Sequence, residues 1–198
     1  MQRRSLILVS LLLALAVPLS ASQFVQLSFD QVARESAYVV RGHVIETWSA
    51  WDSSHETIFT YATVRVSRYF GELAGPDTLV VREVGGTVDG YTQEAIGFPA
   101  IRRGEQVVLL LSQWDDGSEY RMHAFNQSKY LVRERNGIEV LVADPVKQGE
   151  GRAKADQRMS ADAFSESDGA AMTVDEFAQM VDAARAGGIT AGIRQQHD

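Results

Sequence analysis

Apolar and polar residues alternate with a period of two from Ile58 to Tyr69, with Ile58, Ala62, Val64 and Val66 on one side and Arg65 and Ser67 on the other. That period belongs to a strand with one buried face, and the run is long enough to bend around a barrel. Three further segments read the same way. Ala37 to Ile45 is rich in β-branched residues and carries Gly42 inside the run, where glycine marks a bulge or a close backbone approach. Asp77 to Val84 follows as a strand, and Gln106 to Ser112 is a continuous apolar run suited to a strand covered on both sides. Lys129 to Arg133 and Ile138 to Val142 flank Asn136-Gly137, a pair that tolerates positive φ at both positions and so predicts a tight hairpin.

The pattern changes period at both ends. Ser28 as cap, Gln31 as its return partner and Leu27 against Val32 predict a short helix ending near Ser36. Thr173 and Glu176 repeat that capping logic, with Met172 set against Phe177. Val174, Phe177, Val181 and Ala184 then share one helical face up to Gly187-Gly188, which reads as the stop. Between Asp144 and Ala171, polar and small residues dominate and few large apolar side chains offset the entropy of ordering.

These elements predict a mainly β protein: a small antiparallel OB-like barrel with a short N-terminal helix, and a C-terminal amphipathic helix after a flexible linker. No helical crossovers separate the strands, which argues against a parallel sheet. The expected organisation is a signal peptide (1–22), a barrel domain (23–143), a linker (144–171), a helix (172–187) and a loose tail (188–198). The barrel interior is expected to be filled by apolar side chains.

Arg3 and Arg4, the apolar run from Leu6 to Val17 broken only by Ser10, and the small residues of Pro18 to Ser22 have the three parts of a secretory signal, with cleavage after Ala21 or Ser22. Without cleavage the segment would act as an anchor. It is shorter than the ~20 residues that a spanning helix needs, and no second such stretch follows, so no membrane span is expected after its removal. The expected location is outside the cytoplasm, either periplasmic or secreted. Removing Arg3 and Arg4 leaves 17 of the 19 Lys and Arg against 26 Asp and Glu, a net charge of −9 in place of −7. Such a surface repels phosphate backbones and anionic headgroups, so nucleic acid is not an expected partner. The chain has no cysteine, which removes disulfides, thiol catalysis, thiolate metal sites and a lipoprotein anchor.

Three stretches, Ser36 to Val44, Tyr61 to Gly71 and Gly104 to Leu111, together resemble the strand pattern of netrin-like domains, the OB-fold modules that include the tissue inhibitors of metalloproteinases. The likeness spans about Phe29 to Leu111 and implies a barrel that presents loops to a partner. The inhibitors' zinc-binding N-terminal cysteine has no counterpart here, so that mechanism carries over to no residue.

Candidate chemistry is sparse. His43, His55, His123 and His197 are the only imidazoles; Asp52, His55 and Glu56 share one polar segment, but no pair has metal-ligand spacing, and no metal or cofactor is expected. No serine lies in a Gly-x-Ser-x-Gly elbow. Asp115-Asp116 beside Gly117 reads as a turn, Gly85 to Gly90 as a wide turn rather than a phosphate loop, and Gly97-Phe98-Pro99 as a buried corner. Aromatic residues give the binding hint. Trp48 and Trp51, in a loop with Asp52 and His55, and Tyr91 in the Gly85 to Phe98 loop form the expected binding set, with Trp51 the more exposed indole. The expected function is a non-enzymatic exported module that binds a protein or saccharide. The alternative is an exported hydrolase whose site is assembled from scattered polar residues, with His43 or His123 facing a carboxylate.

Overall fold

The computed structural model describes residues 27–95, 97–117, 119–144 and 172–194, with side chains up to Gly187. The expected signal segment, and all of the expected linker but Asp144, lie outside the described residues. In chain order, α1 (Phe29–Glu35) leads into β1 (Tyr38–Trp51), β2 (Ile58–Tyr69) and β3 (Thr78–Val84). A small hairpin, β4 (Gly86–Val88) and β5 (Tyr91–Gln93), precedes β6 (Gln106–Gln113) and β7 (Tyr120–Met122). A 3-10 turn (Phe125–Ser128) then leads to β8 (Lys129–Arg135), β9 (Ile138–Ala143), β10 (Met172–Thr173) and α2 (Val174–Arg194).

Strands β1, β2, β3, β7 and β6 form a closed five-strand barrel, because β1 pairs with both β2 and β6. This is the expected small OB-like barrel in a mainly β chain, with one departure. A ring with an odd number of strands cannot alternate direction all the way round, and the one parallel pair falls between β3 and β7, bridged at Val81 and Tyr120. β8 continues the sheet from the edge of β6; β9 and β10 extend it beyond the ring.

Double-sided burial of β6 organises the interior. Val107 to Leu111 have no solvent exposure. Val107, Leu109 and Leu111 point into the barrel with Val40, Val44, Ala62, Val64, Leu79 and Val81. Val108 and Leu110 point the other way, into a second core with Val39, Val132, Leu141, Val32 and Ala33 of α1, and Val174, Phe177, Val181 and Ala184 of α2. The apolar run therefore does what its lack of alternation predicts.

Local signals explain most boundaries. The Ser28 hydroxyl accepts from the Gln31 N–H at 3.2 Å, starting α1. The Gln31 side chain bonds Glu35 at 3.0 Å instead of returning to the cap. At α2 the expected box is complete: Glu176 accepts from the Thr173 N–H at 2.8 Å, and the Thr173 hydroxyl accepts from the Glu176 N–H at 3.2 Å. The helix runs on through Gly187 and Gly188 to Arg194. No proline follows the glycine pair, so nothing in the sequence forces the stop that was expected there. Asn136 and Gly137 take φ of 53° and 77° and close the β8–β9 hairpin. At Gly42 the register slips by one residue, and a Cβ there would lie 2.6 Å from Val64 Cγ1 and 2.7 Å from the Arg65 carbonyl oxygen.

Phe177 packs edge-on against Phe29, Phe70 and Tyr130, with ring centroids 5.4, 5.4 and 5.5 Å away, and joins both helices to the sheet. Phe177→Ala is expected to cost about 3–5 kcal/mol of stability, read as a lowered urea midpoint.

Candidate binding face

The aromatic residues expected in a loop stand on strands. β1 continues to Trp51, with Trp48 opposite Tyr61 and Trp51 opposite Ile58, and only Asp52 to Thr57 forms the turn. Asp52 builds that turn: its Oδ1 accepts from the Glu56 and Thr57 N–H groups at 2.8 and 3.2 Å, and its Oδ2 accepts from the Ser54 hydroxyl at 2.8 Å. These bonds, the Ser54 hydroxyl foremost, hold the carboxyl below its ordinary acidity range. Asp52 is thus engaged by its own backbone rather than offered to a partner.

Trp48 and Trp51 are three residues apart on a strand and so face opposite sides. Trp51 is half-buried on the side of Ile58, with His55 stacked at 6.0 Å and Tyr91 edge-on at 5.9 Å. Trp48 faces out, stacked on Tyr61 at 5.2 Å with an interplanar angle of 8°, and is 41% exposed. The expected order of exposure is therefore reversed, because strand alternation rather than distance from a loop centre sets it. Tyr91 is 66% exposed, and His55 is exposed with a φ of 58°.

The segment read as a wide turn is the β4–β5 hairpin, with Asp89 and Gly90 at φ of 50° and 83°. Asp-Gly between two short runs was the signal for it. The hairpin lies against the Ser49–Thr60 end of the barrel. The Thr60 hydroxyl donates to the Gly85 carbonyl at 2.7 Å, and the Gln93 side-chain oxygen accepts from the Ile58 N–H at 2.8 Å. Contact is close enough that a Cβ on Gly86, at φ 138°, would meet the Ser49 and Thr60 oxygens at 2.5 and 2.6 Å.

Opposite this packed side, the outer faces of β1, β2 and β3 carry rows of side chains. Trp48 lies opposite Tyr61 and Tyr61 opposite Arg82; Glu46 lies opposite Thr63; His43 lies opposite Arg65. Arg82 ends the first row, its guanidinium 4.6 Å from the Trp114 ring centroid and 5.2 Å from that of Phe59. It is ion-paired to Asp116 at 2.9 Å and to Glu119 at 3.0 Å. Burial lowers its pKa, but the two carboxylates outweigh that and hold it above its ordinary value. Asp115-Asp116 does form a turn, closed by Gly117 N–H to Trp114 carbonyl at 2.9 Å. Trp114 was not singled out from sequence; the aspartates beside it marked the turn and drew attention from the indole.

Two buried ionisable side chains carried no such signal in the sequence. Glu83 points into the barrel on the side of Leu79 and Val81, an exception to the expected apolar filling. It accepts from the Met122 N–H across the β3–β7 seam. Burial pushes its pKa up to about 8 against the opposing effects of that bond and of Arg121, so it is a neutral acid at pH 7. Lys129 has no solvent exposure and donates to the Ala100 carbonyl, Glu105 and Asp144 at 2.5, 2.7 and 2.7 Å. Burial pushes Glu105 up, but the bonds from Lys129 and the Arg102 N–H prevail and leave it below its ordinary value.

His123 lies 3.4 Å from Glu35, a half-exposed carboxylate whose other oxygen is taken by Gln31. His43 is half-buried on the outer face, and His197 lies outside the described residues. Among the described residues no three metal-ligating side chains gather, and no helix is long and apolar enough to cross a membrane. No protein-family model matches the chain, and no curated protein is significantly similar to it.

Glu83 binds its proton more tightly folded than unfolded, so its contribution to stability is full below about pH 4.5 and is lost as pH rises towards about 8. Glu83→Gln is expected to remove that decline and to stabilise the protein at pH 8 by a few kcal/mol, on the order set by the shift; chemical denaturation across that range is the measurement. Lys129→Met leaves Glu105 and Asp144 buried without their cation and is expected to cost about 3–5 kcal/mol at pH 7, read as a fall in Tm.

Proposed function

We propose that this protein is an exported, non-enzymatic binding module that presents the outer face of β1, β2 and β3 to a protein or saccharide partner. The observation that carries this reading is the Trp48–Tyr61 stack: a large indole, 41% exposed, on a rigid three-stranded surface. Both helices pack into the other core, behind β6, β8 and β9. An aromatic pair held flat on a strand surface loses little side-chain entropy on binding and offers a large contact area. In OB-like barrels the faces of the second and third strands, and the loops at one end, are the places where ligands dock; here Tyr61 and Arg82 lie on those strands and Trp114 in the β6–β7 turn. The order of strand motifs supports kinship with netrin-like domains, and the pattern of the first 22 residues supports export.

Capture on immobilised protein tests the reading. The wild-type chain should retain a component of the producing cell's exported or surface fraction that Trp48→Ala and Tyr61→Ala do not retain, each variant having a Tm within a few degrees of wild type. Equal capture by all three, or none by the wild type, would defeat it.

A further inference from the structure

Beside the open indole stand three polar side chains without a side-chain bonding partner among the described residues. Glu46, Thr63 and Arg65 follow Trp48 and Tyr61 along the same outward face. Glu46 pairs in register with Thr63, while Arg65 lies two residues further along β2. Glu46 and Arg65 are exposed and Thr63 is half-exposed. None of the three makes a side-chain hydrogen bond or ion pair among the described residues, although elsewhere on the surface Arg41 is bonded to Glu139 and Arg82 to Asp116. Trp48 itself touches one ring, Tyr61, so its other face is free of ring contact among the described residues.

From this placement we propose that the Trp48 face is a subsite for a neutral oligosaccharide, a reading that rests on the binding function above and names its ligand class. A pyranose ring has an apolar C–H face and a rim of hydroxyls that both donate and accept. Trp48 supplies a flat apolar surface for the first. For the second, Glu46 accepts, Arg65 donates and Thr63 does both. One carboxylate against one guanidinium leaves the row without net charge, so it draws in neither a polyanion nor a polycation. Glutamate is depleted at the centre of protein–protein interfaces, yet here Glu46 follows Trp48 directly on the same outward face.

Isothermal titration of the full chain with neutral tetrasaccharides of glucose, mannose and N-acetylglucosamine tests this. At least one should bind, with affinity unchanged between low salt and about 0.5 M NaCl, as expected of an uncharged ligand. Trp48→Ala should weaken binding about tenfold or more, Trp48→Phe should keep part of it, and Thr63→Val and Arg65→Ala should each weaken it about threefold or more, all with Tm close to wild type. Binding by none of the three sugars, binding that Trp48→Ala leaves intact, or displacement of bound sugar by salt would overturn the proposal. Partner capture that depends on Trp48 while no tetrasaccharide binds would preserve the binding function and discard the saccharide; failure of both experiments would discard both.

Discussion

Five consecutive side chains of β6, Val107 to Leu111, must all leave water, and a single strand can bury them only by standing between two cores. That requirement dictates the architecture. Leu109 and its inward neighbours need a curved sheet around them, which the ring of five strands supplies. Val108 and Leu110 need a cover on the opposite face, which α1 and α2 supply together with β8 and β9. α2 is held to this cover by Phe177 among three aromatic rings, by strand β10 at its start, and by Arg185, which donates to the Ser36 carbonyl at 3.0 Å.

The two buried ionisable groups sit where that scheme leaves backbone or loops unsupported. A five-strand ring must contain a parallel pair, and β3 and β7 share only one bridge. Beyond it the Glu83 carboxyl serves as the acceptor for Met122 that a neighbouring strand would otherwise provide. Lys129 does a similar task at the other flank, where one ammonium satisfies three acceptors from the chain before β6 and the residue after β9. An unpartnered carboxylate or ammonium in either place would be far more costly than these satisfied ones.

Much of what was encoded locally could be read from the chain. The period-two run of β2, the Asn136-Gly137 hairpin and the Thr173–Glu176 box each depend on residues near one another, and each formed with the expected partners. What depended on distant pairing could not be read. Trp48 and Trp51 looked like loop residues because Ser49 and Ala50 carry no strand signal; only pairing with Phe59 and Thr60 holds them in β1. Glu83 and Lys129 had no distinguishing signal because nothing in their own segments announces the donors and acceptors that arrive from residues 100 to 144. Trp114 likewise became part of the candidate face only when β3 delivered Arg82 beneath it.

The candidate face is a by-product of the same division of labour. Both helices are committed to the side of Val108 and Leu110, where Val39 at the start of β1 joins them; the part of the outer surface around Trp48, Tyr61 and Arg82 has no helix packed on it among the described residues. Trp48 and Tyr61 nevertheless lie flat against each other at 5.2 Å on strands whose inward residues, Ala62 and Val64, are locked in the barrel. A site built this way has its geometry fixed before any ligand arrives, whereas one on the Asp52 to Thr57 turn would depend on the turn holding its shape. Placing the candidate residues on strands rather than in a loop therefore changes the expected character of recognition: a preformed flat surface selects ligands by the shape and polarity of one face.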